Sequence, residues 1–381
     1  MGGQNINLFD DSFDDLLDFN GKYLVSHLIT YIGNKRRLLP FINDGVVKVK
    51  RQLNKKKITS LDGFSGSGVV ARLLKYHSSK VISNDFEKYA KTINQAYLSN
   101  KSSVDLEKLN KAIKYLNENK LKKTRSGYFV TNNYAPKDDN NIKPGERVFY
   151  TNQNARIIDN IRYMIDHDID ESVRQYCLAN LLIKASIHNN TSGVFKGFHK
   201  KEGVGHFGGK GENALLRIKG EITLDVPIFS EVECETEVYC TDTNELVRDL
   251  EEVDLAYYDP PYNQHPYGSN YFMLNVINDG LPVPIQDGVS GIAKDWQRSD
   301  YNKTMSAVKA METLLDNTKA KYIMISYNDE GIIPFQIFKK IVSDRGEWEL
   351  LEQEYNTYRG SRNLKNRSNK VRELLWVLKK A

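Results

Sequence analysis

The run "VDLAYYDPPY" (253–262) constrains this chain more than any other stretch: a buried-strand pattern stops at an aspartate followed by two prolines. Proline fixes φ and lacks an N–H, so a sheet interior excludes it and the strand must end there. The same theme, an apolar strand entering a special turn, occurs upstream. "KITSLDGFSGSG" (57–68) is a short strand running into a glycine loop, and "VVARLLKYH" continues as helix. "KVISND" (80–85) is a second strand, followed by a helix to about residue 100. Strands return after 236 in "EVYCTD", "KYIMISYN" and "ELLWVLKK". Strands alternating with helices predict an α/β fold built on a mostly parallel sheet.

Residues 101–235 break that rhythm. They combine polar, loop-rich segments such as "PKDDNNIKPGE" with one strong helix, "QYCLANLLIKASIH", and a segment rich in glycine and cations (189–213). The chain therefore divides into a strand–helix part, residues 31–100 and 236–381, and an inserted region, 101–235. Residues 1–30 are expected to form an acidic arm carrying "FDDSFDDLLDF". A chain of 381 residues with 40% hydrophobic content holds enough to bury a core, which argues against wholesale disorder.

Net charge is only +5, but residues 359–381 carry eight Lys/Arg against the single Glu373. A run like that suits phosphates as well as it suits a solvated face. Cys177, Cys234 and Cys240 fit no metal or disulfide spacing, as expected of reduced thiols. No stretch approaches the ~18 apolar residues of a membrane span, so a soluble, cytoplasmic protein is expected.

Two features carry chemistry. In "LDGFSGSGVV", Gly66 and Gly68 stand where strand becomes helix, letting a ligand approach the backbone beside the free N–H groups of a helix start. No GK[ST] follows, which excludes a phosphate-cradling P-loop. Asp85 ends the next strand about 20 residues later, where dinucleotide folds place an acid on ribose hydroxyls; it is equally suited to cap the following helix. The pair points to a nucleoside-containing ligand without choosing among nicotinamide, flavin and S-adenosylmethionine.

The second feature is the DPPY turn. The lone pair of an exocyclic base amine is delocalised into the ring, so the nitrogen is a poor nucleophile until it becomes tetrahedral. The Asp259 carboxylate and the Pro260 carbonyl can accept its two N–H bonds, while Pro260 and Pro261 hold both acceptors rigid. Tyr262 offers a face for stacking on the base and for a cation. Tyr258 is expected on the same floor.

With "YIGNKRRLLPFI", "LDGFSGSG", "SND", "VYCTDTNELV", "VDLAYYDPPY" and "YRGSRN…KVRELL" in this order, the chain resembles the Dam-type (alpha-group, D12 class) N6-adenine DNA methyltransferases from about residue 31 to its end. The resemblance implies a Rossmann-like S-adenosylmethionine-dependent methyltransferase sheet with an inserted target-recognition domain. It implies that Tyr31 and Lys35 border the cofactor and target-base pocket, that Asp62, Phe64, Gly66 and Gly68 line S-adenosylmethionine, that Asp85 holds its ribose, and that Asp242 lies near its adenine. Asp259, Pro260, Pro261 and Tyr262 would form the methyl-acceptor site. The family varies at Asp242, and the match is loosest over 101–235.

The order of motifs leaves only the long gap for reading DNA. "SGVFKGFHKKEGVGHFGGKG" offers Lys196, Lys200, Lys201 and Lys210 to phosphates and Phe195, Phe198 and Phe207 to bases. In the basic tail, Arg359, Arg362, Asn363 and Arg367 are further phosphate candidates. His199 and His206 lack the clustered ligands of a metal site, and methyl transfer from a sulfonium needs none. The expectation is a site-specific methyltransferase acting on a flipped-out adenine in double-stranded DNA, a monomer or weak dimer, with a cognate restriction endonuclease sharing its site. The alternatives are an N4-cytosine DNA methyltransferase, an N6-adenine rRNA methyltransferase and a catalytically silent nucleic-acid-binding protein.

Overall fold

The computed structural model describes residues 12–122, 127–209, 214–356 and 370–381. Nine strands are described: β1 Ile58–Asp62, β2 Ser78–Asn84, β3 Lys200–Lys201, β4 Val204–Gly205, β5 Glu235–Tyr239, β6 Val253–Tyr258, β7 Ala320–Asn328, β8 Gly346–Asn356 and β9 Lys370–Lys380. Seven of them form one sheet in the order β5-β2-β1-β6-β7-β9-β8. The pairs from β5 through β7 are parallel, and β9 runs antiparallel to both β7 and β8. This mixed, mainly parallel α/β sheet is the one expected from the sequence. β8, "GEWELLEQEYN", escapes a sequence reading because an edge strand carries charge on its open side.

The chain builds β1, β2 and β5 in one direction and β6 and β7 in the other, so the order reverses between β1 and β6. Open α/β sheets bind ligands at that switch point, beyond the carboxyl ends of the strands. β1 ends on Asp62, and β6 delivers Asp259 from the adjacent position, with Asp62 paired opposite Tyr257.

Three helices hold the approach to this point. α1 (Phe13–Val25) buries Leu16, Tyr23 and Leu24, so the second half of the 1–30 segment belongs to an apolar cluster shared with α2 (Leu39–Leu53) and α3 (Val69–His77). Arg72 of α3 is 1% exposed and donates to the carbonyls of Tyr23, Ser26 and His27 at 2.9–3.0 Å. Its guanidinium also lies 4.2 Å from the centre of the Tyr97 ring. Three carbonyls and an aromatic face compensate this buried cation, leaving only its Nε without a hydrogen-bond partner among the described residues, and it fixes where the chain leaves α1 towards Tyr31 and Lys35.

Residues 101–235 contribute the helices Leu106–Asn119, Phe129–Tyr134, Asn152–His167, Glu171–Ile187 and Leu215–Lys219, and the hairpin β3–β4. The apolar side chains of the first four of these helices join those of α4 (Lys88–Leu98) and of the helix Phe272–Asp279 in one cluster, while Ile218 of the fifth packs in a smaller one with Val148 and Phe207. Phe195 and Phe207 are buried, 2% and 5% exposed, in the packing of this region. Both rings are thus taken up by the core, which corrects the expectation that they reach bases. The glycine-rich composition of their surroundings concealed this. Among the described residues, no helix is long and apolar enough to cross a membrane.

Candidate active site

A cleft of about 870 Å³ opens at the switch point. Its walls include Tyr31, Lys35, Asp62, Phe64, Gly66 and Asp85, and also Asp242, Asp259 and Pro261.

One side of the cleft is the glycine loop. Gly66 has φ +48°, and a Cβ there would lie 2.9 Å from Cε1 of Tyr31, so the tyrosine ring rests against bare backbone. Tyr31 is itself stacked on Tyr271 and Tyr267, with centroids 4.6 and 4.9 Å apart. Gly68, at φ +78°, starts α3 instead of lining the cleft; a Cβ would meet Oδ1 of Asn94 at 2.5 Å. Asp85 does not cap the following helix, whose N-cap is Glu87 without a side-chain cap bond; it braces the turn that leads there. Its Oδ1 accepts from the Glu87 N–H at 2.9 Å and its Oδ2 from the Gly66 N–H at 2.7 Å, so one carboxylate clamps the loop to the start of the next helix. Burial pushes the Asp85 carboxyl up to about 6 against these hydrogen bonds. Asp242 caps the helix Thr243–Asp249 through the Asn244 N–H at 2.7 Å.

The other side is the DPPY turn. Side chains alternate along a strand, so Tyr257 and Asp259 share a direction and Tyr258 takes the opposite one. Tyr257 accordingly lines the cleft, whereas the Tyr258 hydroxyl is buried against Thr318 Oγ1 at 2.7 Å. The floor is built by Tyr257, a correction to the expected Tyr258. Pro260 is buried beneath the turn. Tyr262 packs edge-on to Tyr327, and its ring centre lies 5.3 Å from Nζ of Lys35.

Lys35 is 3% exposed, and its Nζ stands 3.1 Å from Asp259 Oδ1 and 3.6 Å from Glu373 Oε2. Burial disfavours the ammonium, but Asp259 and then Glu373 outweigh it and hold the lysine pKa well above its ordinary value. Burial raises the Asp259 carboxyl to about 6; Lys35 pulls it down and Glu373 pushes it up. Asp62 is 1% exposed, and neither of its oxygens has an aligned hydrogen-bond donor among the described residues. Burial lifts its pKa well above the carboxylate range, Asp259 adds to the lift, and the nearby amides of Phe64 and Ala71 oppose it without meeting hydrogen-bond geometry. A buried carboxyl without an aligned donor, lining the cleft, is a polar group whose partner the described residues do not supply.

Comparison with known proteins shows the family of the chain. A model of the D12 class N6 adenine-specific DNA methyltransferases matches residues 31–341. The chain belongs to this family. As a D12 class methyltransferase it transfers methyl groups to adenine in DNA, with S-adenosylmethionine as donor. It is 28% identical to the type II methyltransferase M.NlaIII of Neisseria lactamica over 92% of this chain and 99% of that protein. It is 27% identical to the type II methyltransferase M.CviAII of Paramecium bursaria Chlorella virus 1, covering 87% of this chain and 93% of the relative. The modification methylase LlaI of Lactococcus lactis subsp. lactis is 28% identical, and there the chain spans only about half of the relative, 55%.

The structure also assembles D12 methyltransferase residues that the sequence reading left out. Glu87 lines the cleft, accepts from Asn275 Nδ2 at 2.6 Å, and is raised to about 8, mainly by burial and then by Asp85. Gln297, Ser299, Tyr301 and Asn302 close the cleft from a long connection after the helix Phe272–Asp279. The signal that would have found them is "WQRSDYN", polar residues interleaved with aromatics inside an otherwise featureless loop. Lys200 and Lys201 lie exposed on β3, whose hairpin turns at Glu202 (φ +51°) and Gly203 (φ +83°). Lys196 is exposed on the approach to that hairpin. Lys210, Arg359, Arg362, Asn363 and Arg367 lie outside the described residues.

Proposed function

We propose that the DPPY corner is the methyl-acceptor site, with Asp259 and the Pro260 carbonyl accepting the two N–H bonds of a target adenine that has left the duplex. The observation that carries this is the position of Asp259: a largely buried carboxylate at the end of β6, facing the ligand cleft beside Asp62. Accepting both amine hydrogens draws the nitrogen lone pair out of conjugation and aims it across the cleft. Pro260 and Pro261 keep the corner rigid, and Tyr262 stacks on the base. A base within a duplex cannot reach such a corner, so it is flipped at a cost of a few kcal/mol of stacking and pairing.

The cleft suits S-adenosylmethionine by its mixed acidic and aromatic lining and by the Asp62 carboxyl, which has no hydrogen-bond partner among the described residues. Asp62 would hold the donor's ammonium, Asp85 its ribose hydroxyls, and Phe64 with Asp242 its adenine; Tyr31 backs the glycine loop. The bound donor supplies an electrophilic methyl on a sulfonium. The chain's own residues orient the amine, exclude water behind the Tyr31–Tyr267–Tyr271 stack, and keep Asp259 ionised as an acceptor.

The exposed hairpin β3–β4, with Lys200 and Lys201, and Lys196 beside it, is assigned to DNA phosphates. Residues 101–235 then form the target-recognition region. A cognate endonuclease protected against by this methylation is the natural setting, given that the relatives are named as type II methyltransferases and modification methylases. A monomer suffices for one flipped base.

The test is transfer of labelled methyl to unmethylated phage DNA, followed by digestion to nucleosides. Label in N6-methyladenine is expected. Label in N4-methylcytosine alone defeats the base assignment, and transfer to RNA in preference to DNA defeats the substrate.

A further inference from the structure

Lys35 has two carboxylates around it, and only one of them belongs to the DPPY turn. The other, Glu373, comes from β9, where it is paired opposite Asn328 of β7. It is followed on that strand by Leu374, Leu375, Trp376, Val377 and Leu378, all buried. Glu373 is itself 5% exposed. A carboxylate at the head of a run of core residues is costly unless paired, and such a conflict with the surrounding pattern points to a functional position.

The contacts are ionic and not aligned hydrogen bonds. Asp259 Oδ1 and Glu373 Oε2 are both buried, and neither has an aligned hydrogen-bond donor among the described residues. Two carboxylates thus share one ammonium, at 3.1 and 3.6 Å. The Asp259 carboxylate that would accept from the adenine amine is, in this structure, turned with Oδ1 on Lys35. The arriving amine leaves Asp259 charged but draws the carboxylate away from Lys35, a move that a buried ammonium with no other partner would resist. With Glu373 on its other side, the ammonium has a second seat within reach of a small side-chain shift.

We infer that Glu373 is a positioning residue that takes over Lys35 when the adenine amine engages Asp259. The inference rests on the reading of Asp259 given above. Glu373 touches neither base nor donor; it acts through Lys35. The groups facing Asp259 are Lys35 from the turn after Asn34, Glu373 from β9, Asp62 from β1, Tyr257 from β6 and Tyr267 from the segment after the DPPY turn. Of these, Lys35 lowers and Glu373 raises the Asp259 pKa once burial is counted.

The experiment measures methyl transfer to unmethylated phage DNA by the full chain, as kcat and KM across pH, for wild type, Glu373→Gln and Glu373→Asp. For Glu373→Gln, kcat should fall at least about 30-fold, the size expected when a buried charge loses a partner. Its KM for donor and DNA should stay within about twofold. The acid limb of its pH profile should move to lower pH, because the negative neighbour that raises Asp259 is gone. Glu373→Asp should restore the limb and part of kcat. A merely structural role would lower the fraction of folded enzyme and leave the limb in place.

Should Glu373→Gln fail to fold, Lys35→Met is compared with Lys35→Met/Glu373→Gln. Equal turnover supports the shared task, and a further tenfold fall in the double variant overturns it. Adenine labelling with kcat and limb unmoved in Glu373→Gln overturns this inference alone. No label on adenine from the wild type brings down the Asp259 reading and this one with it.

Discussion

Replacing Asp259 by alanine should lower methyl transfer by about a thousandfold while leaving DNA affinity within about twofold. The magnitude is that of removing one preorganised group which acts on the charge developing in a transition state. DNA affinity survives because it is carried by phosphate contacts elsewhere. The same carboxylate sets a pH dependence. Burial places its pKa at about 6, so at neutral pH it is an acceptor, and below about 6 it gains a proton and ceases to be one. At saturating donor, kcat/KM for DNA should therefore fall as pH drops through 6. Saturation matters, because Asp85 is raised to about the same value and its protonation would loosen the clamp on the glycine loop. A flat profile between pH 5 and 7, on this scale of shifts, would remove Asp259 from the acceptor role.

Changing Lys200 and Lys201 together to alanine should act on the opposite quantity, affinity without chemistry. Both are exposed on a two-stranded hairpin. The expectation that this segment meets DNA now rests on its cations alone, since Phe195 and Phe207 are inside. Each phosphate contact steepens the dependence of log K on log salt by about 0.9, so losing two should flatten the slope by about 1.8. Measured against 1 M salt, that is roughly a 60-fold loss of affinity at 0.1 M. Saturating DNA should restore kcat. A slope unchanged in the double variant removes the hairpin from the phosphate-contacting surface.

What sequence made legible, and what it hid, follows from the range of the forces involved. Asp62, Asp85 and Asp259 were readable because each ends an apolar strand at a turn, a local pattern set by backbone geometry. Parallel strands then bring such ends to one edge whatever lies between them. Tyr258 was misplaced by one residue, which on a strand reverses the face. Glu373 was invisible as a site residue, because its partnership with Lys35 joins chain segments more than 300 residues apart. Phe195 and Phe207 were misread because burial depends on long-range packing against Phe149, Val148 and Phe272, which a glycine-rich composition does not announce. The Gln297–Asn302 wall lies in a long connection with no period at all.

The account stands on one geometric claim, that the corner closing β6 holds the extruded adenine by its amine. The structure of the full chain with its thioether product and a methylatable duplex measures this directly. The adenine N6 should lie about 3 Å from both Asp259 and the Pro260 carbonyl, with Lys35 turned to Glu373. An adenine still stacked in the duplex, or an amine bonded elsewhere while Lys35 remains on Asp259, would contradict it.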